Sequence, residues 1–74
     1  MSQDKDPGFY ESLIASELTP EEVRSHLMDI TSILGRMEKG LKILEKMGRK
    51  PEKKVLENKK RFLRIQARLN ELAN

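Results

Sequence analysis

Val23, Leu27, Ile30, Leu34, Met37, Leu41 and Leu44 follow one another at intervals of 4, 3, 4, 3, 4 and 3 residues. A repeat averaging about 3.5 residues lays all seven along one seam of an α-helix. A strand could not do this, because its side chains change face at every residue. The middle of the chain is therefore a long helix with one apolar edge. Its start is written in "LTPEEV". There Thr19 can cap the amide of Glu22 while Glu22 reaches back to the amide of Thr19, and Pro20 presets the first turn. Glu21 and Glu22 also suit the positive end of the helix dipole. Gly48 fits the left-handed position that ends a helix, so the expected span is about 20–47.

Pro51 opens the next helix, expected over about 51–73, with Val55, Phe62, Ile65, Leu69 and Leu72 as its seam and Asn58 as the one polar position in it. So short a connection, "MGRKP", makes the two helices antiparallel neighbours. Counting outward from that tip sets Leu44 near Val55, Met37 near Phe62, Leu34 near Ile65 and Ile30 near Leu69. Upstream, Asp6 can cap a helix beginning at Pro7, and Phe9, Tyr10, Leu13, Ile14 and Leu18 follow at helical spacing. This helix, expected over about 7–18, is too short to be stable without docking, and Gly8 weakens it further. Residues 1–6 read as a disordered tail and 7–74 as a single domain. The expected fold is all-α: a short N-terminal helix followed by a long, coiled-coil-like antiparallel hairpin, completed by self-association or by a partner's helix.

A chain of 74 residues without cysteine cannot lean on disulfides or thiolate metal sites, so a partner is the natural source of extra stability. No apolar run is long enough to span a membrane, and the expected setting is soluble and cytoplasmic. Catalytic chemistry has little to build on. The lone His26 has Glu22 and Asp29 within helical reach, but a metal site needs three or four convergent ligands. There is no phosphate-binding glycine loop, no Ser–His–Asp order and no Cys–His pair. The reading is a non-enzyme with no catalytic residue, no metal and no cofactor.

The apolar residues exceed what one seam per helix can bury. His26, Ile33, Gly40 and Met47 recur every seven residues beside the first seam, Ile43 lies outside it, and Leu56 and Leu63 form a parallel row on the last helix with Ala67 nearby. At 1.5 Å per residue the hairpin is roughly 40 Å long, more than a three-turn helix can cover. The expected function is protein–protein interaction, as an adaptor, chaperone-like or regulatory module, binding a helical partner or a second copy. The contacts assigned to it are Phe9, Tyr10, Leu13, Ile14, Ile33, Gly40, Met47, Leu56 and Leu63.

Charge divides along the chain. Residues 1–35 hold two bases against seven acids, a net of −5, whereas residues 36–68 hold thirteen bases against four acids, a net of +9. The distal hairpin is thus a basic knob. It can be a solvated helical surface, a site for an acidic protein, or a phosphate-binding surface formed by Arg49, Lys50, Lys53, Lys54, Lys59, Lys60 and Arg61. The alternative function is accordingly a nucleic-acid-binding regulatory hairpin. Base stacking is not part of it, because no aromatic residue lies among the tip lysines. In size and hairpin outline alone, the chain resembles two groups of short helical hairpins. These are the dimeric RNA-binding regulators of plasmid copy number and the small co-chaperones of bacterial type III secretion needles; no residue is carried over from either.

Overall fold

The computed structural model describes residues 6–73, and all but the last residue of the expected N-terminal tail lies outside them. Three helices follow in order: α1 (Pro7–Ile14), α2 (Pro20–Lys46) and α3 (Lys53–Ala73). The antiparallel pair α2–α3 forms the body, and α1 folds back onto it, mainly against α3. The longest dimension is 43 Å, in keeping with the helix length read from the seam.

Each helix end has an identifiable cause. At α1, the Phe9 amide donates to Asp6 Oδ1 at 3.0 Å, which satisfies one of the unpaired first-turn N–H groups. At α2 both halves of the capping box are made. The Thr19 amide donates to Glu22 Oε1 at 2.9 Å, and the Glu22 amide donates to Thr19 Oγ1 at 3.2 Å. At the far end Gly48 has φ +72°, the Arg49 amide donates to the Leu44 carbonyl at 2.8 Å, and the Gly48 amide donates to the Glu45 carbonyl at 3.0 Å. These two bonds constitute a Schellman motif. A side chain at Gly48 would hold that left-handed backbone at a cost of about 1–2 kcal/mol.

Two spans differ from the sequence reading. The first helix ends at Ile14 rather than near residue 18, with Ala15 as its C-cap. Ser16 Oγ donates to the Leu13 carbonyl at 2.8 Å, and Thr19 must be extended (ψ 158°) to cap α2, so the segment between them cannot stay helical. The third helix begins at Lys53 rather than Pro51, because the Glu52 carbonyl is the first to accept helical bonds, from Val55 at 3.1 Å and Leu56 at 3.3 Å. The Schellman motif uses Arg49 as its closing residue, and the chain then needs Lys50 to Glu52 to reverse direction. The second helix ends at Lys46, with Met47 as its C-cap.

The buried core comprises Tyr10, Val23, Ile30, Leu34, Phe62, Ile65 and Leu69, with Leu13, Ile14, Leu18, Leu27, Ile33 and Met37 packed against it. Burying a side chain such as Ile30 or Leu69 completely is worth about 1.5–3 kcal/mol. One side-chain contact between the helices lies two residues from the expected register. Gln66 Nε2 reaches Thr31 Oγ1 at 3.4 Å, where the counting scheme sets residue 33 opposite 66. Burial fades toward the tip: Leu41, Leu44 and Val55 are only half-buried, although they continue the same seams. The core thus sits where α1 supplies a third layer. Tyr10 is the reason α1 stays there. Its ring meets those of Phe9 at 5.1 Å, His26 at 6.1 Å and Phe62 at 6.1 Å, all edge-on. Each such pair adds about 0.5–1.5 kcal/mol beyond area burial.

Candidate functional site

The sequence assigned nine residues to partner contact, and the fold divides them. Tyr10 is 2% exposed and belongs to the core, so as α1 sits it offers nothing to a partner. Leu13, Ile14 and Ile33 are half-buried against that core. Phe9, Met47, Leu56 and Leu63 remain exposed, as does Gly40. A Cβ placed on Gly40 would meet nothing within 4 Å, so no close approach inside this chain requires the glycine.

Apart from Met28, 75% exposed on the base half of α2, and Leu72 near the end of α3, the exposed large apolar side chains occupy two flanks. One carries α1. The start of α1 stands over a cleft of about 420 Å³ lined by Asp6, Pro7, Ile33, Met37, Asn58 and Phe62. Seven-residue steps along α2 from Ile33 reach Gly40 and then Met47, and from Arg36 they reach Ile43. Ile43 and Met47, 58% and 60% exposed, are therefore the continuation of this flank past the end of α1. The other flank belongs to α3. There Leu56 lines a second cleft, of about 460 Å³, with Leu41, Glu45, Arg49, Lys50 and Pro51. Leu63 lies seven residues on from Leu56, on the side of α3 away from Arg61. Asn58, expected in the seam, is half-buried in the wall of the first cleft.

Of the basic residues assigned to the tip, Arg49, Lys50, Lys53, Lys54 and Lys60 are exposed and Lys59 is half-buried. None of them takes part in an ion pair among the described residues. Arg61 differs. Its Nε donates to Glu11 Oε2 at 3.0 Å and its Nη2 to Glu11 Oε1, a bidentate clamp between α3 and α1. The hydrogen bond from Arg61 holds the Glu11 carboxyl below its ordinary range, and the same bond raises the Arg61 guanidinium. Nothing local in the sequence foretells this pair, whose members are 50 residues apart. Arg64 and Arg68 lie on the base half of α3, where Arg68 pairs with Glu71 at 3.1 Å. Counted by position in the fold, residues 36–62 hold eleven bases against four acids, a net of +7. Residues 6–35 with 63–73 hold three bases against seven acids, a net of −4.

His26 packs edge-on against Tyr10, and its Nδ1 is buried without a hydrogen-bond partner among the described residues. Burial, and then the charge of Asp29, raise the Tyr10 hydroxyl above its usual range. Among the described residues no group of three or more His, Asp or Glu side chains converges as a metal site would require. No helix among them is long and apolar enough to cross a membrane. No protein-family model matches the chain, and neither a curated protein nor a solved structure shows significant similarity to it.

Proposed function

We propose that this protein is a non-catalytic interaction module, an adaptor, chaperone-like or regulatory hairpin. It takes up a helical partner or a second copy on the apolar rows left uncovered by its own fold. The observation that carries the reading is the exposure of Ile43, Met47 and Leu56 on the distal hairpin, with Leu63 adjoining them, where half-buried Leu41, Leu44 and Val55 continue seams that close fully only under α1. Apolar surface gathered on an elongated body in this way is the usual mark of an association site. A helix laid along either flank would supply the layer that α1 supplies at the base. The second reading, phosphate binding by the tip, is favoured by one observation: Arg49, Lys50, Lys53, Lys54 and Lys60 are exposed and engaged in no ion pair among the described residues. Because glutamate is a good helix former, the variant Ile43→Glu/Met47→Glu/Leu56→Glu tests the first reading without attacking the helices. Its circular dichroism should match that of the parent. In nuclease-treated pull-downs and in sedimentation it should lose the protein complex or self-association that the parent shows. Retention of every complex by this variant would remove the apolar rows from the function.

A further inference from the structure

We infer that the occupant of the α1-bearing flank is a second copy of this chain, laid antiparallel, so that α1 of each subunit covers the open tip of the other. The inference rests on the reading just proposed and names the partner, the face and the polarity.

Three observations converge. The first is area. The largest face of the molecule is at most 43 by 23 Å, roughly 1,000 Å² in projection, while a stable interface needs about 800 Å² from each partner. A partner must therefore lie along the full length of the face, which leaves parallel or antiparallel alignment.

The second is shape. On the base half of this flank α1 stands proud, whereas on the distal half, among the described residues, nothing lies within 4 Å of a Cβ placed on Gly40 and Met47 is exposed. The stretch of α2 beyond Met37, from Glu38 to Lys46, is about 12 Å long, and the eight-residue α1 is about as long. Two such stepped faces interlock when antiparallel, with the two α1 helices forming one continuous middle layer. Aligned parallel, α1 would meet α1 and hold the tips apart. Gly40 lies in the open stretch, exposed and with free space around its Cα, so a partner's backbone can come close there. Phe9, 43% exposed on α1, is the apolar side chain placed to reach the partner's Met47 and Ile43.

The third is charge. The base half carries −4 and the tip half +7, so antiparallel alignment sets unlike ends together twice, whereas parallel alignment sets +7 beside +7. Glu11 lies on α1 itself, and the Asp29 charge bears on Tyr10. Shape and charge select the same polarity independently.

The chain has no cysteine, so each engineered thiol is unique. Phe9→Cys and Met47→Cys proteins are mixed in equal amounts and treated with a short bis-maleimide. Light scattering is recorded on the parent, whose monomer mass is 8.6 kDa. The expected results are a parent of twice the monomer mass and cross-links dominated by the 9–47 heterodimer, fading as salt rises. A parent that stays at the monomer mass overturns the inference. So does a dimer joined chiefly through 47–47, or one joined only by Leu56→Cys or Leu63→Cys on the opposite flank. Any of these would still leave the broader reading standing, provided that the Ile43, Met47 and Leu56 substitutions abolish a complex with some other protein.

Discussion

Glu11 and Arg61 form a contact whose strength can be read by pH. The carboxyl of Glu11 is held low, first by its hydrogen bond to Arg61, and that of Glu22 by the amide of Thr19. A group whose folded pKa is depressed stabilises the fold fully above its unfolded value, about 4.3 for glutamate, and that stabilisation is lost as pH falls through the lower folded value. Tyr10 is the only tyrosine and there is no tryptophan, so intrinsic fluorescence reports on α1 alone. Tyr10 emission should change below about pH 4.3, as α1 leaves its site. Glu11→Gln should loosen α1 at neutral pH and shrink the acid step, leaving the part that belongs to Glu22. An acid transition of undiminished size in Glu11→Gln would show that the clamp does not hold α1. The neighbouring Tyr10 explains why the clamp alone is not the anchor: its buried ring remains after the charge pair is broken.

The three helices are unequal in what stabilises them. The second has 27 residues, a complete capping box and a Schellman end, so its first and last backbone groups are provided for within its own sequence. The first has 8 residues, below the length at which an isolated helix persists in water, and depends on Tyr10 and Glu11 to stay docked. Local opening should therefore begin with α1. Hydrogen exchange should find the amides of residues 10–14 protected far less than those of residues 27–34, and an antiparallel dimer should raise protection in 10–14 as protein concentration rises. Equal protection in dilute protein would make α1 ordinary core. The shortening of this helix from the span expected by periodicity has a local origin. Leu18 keeps the helical phase, but Ser16 turns its hydroxyl back to the Leu13 carbonyl and Thr19 is needed extended.

At the scale of the molecule the governing feature is the dipolar charge of an elongated body. Reversing Lys53, Lys54 and Lys60 to glutamate lowers the tip from +7 to +1 while leaving the apolar flanks untouched. Helix content should barely change, because glutamate and lysine are similar helix formers. Apolar contact should maintain association in the variant, but more weakly at low salt and with a flatter dependence on salt, as sedimentation velocity at two ionic strengths would measure. Retained nucleic acid, if the parent carries any, should be lost with its salt slope. A variant that folds normally yet loses all association would make the basic tip, rather than the apolar rows, the working surface.

The hairpin was legible in the chain because its causes are local. Seven apolar residues at alternating spacings of 4 and 3, a capping box at Thr19 and Glu22, and Gly48 at the left-handed position act within one or two turns, so the helices and their antiparallel pairing follow from the sequence alone. Which of the apolar residues are buried and which stay exposed was decided by the tertiary structure. Phe9 and Tyr10 are adjacent and chemically alike, yet Tyr10 is buried and Phe9 is not, because α1 lies at one particular rotation over α3. The same docking turned Arg61 from a tip cation into a clamp on Glu11. Such outcomes depend on residues 50 positions apart meeting in space, and periodicity, capping and composition do not encode that distance.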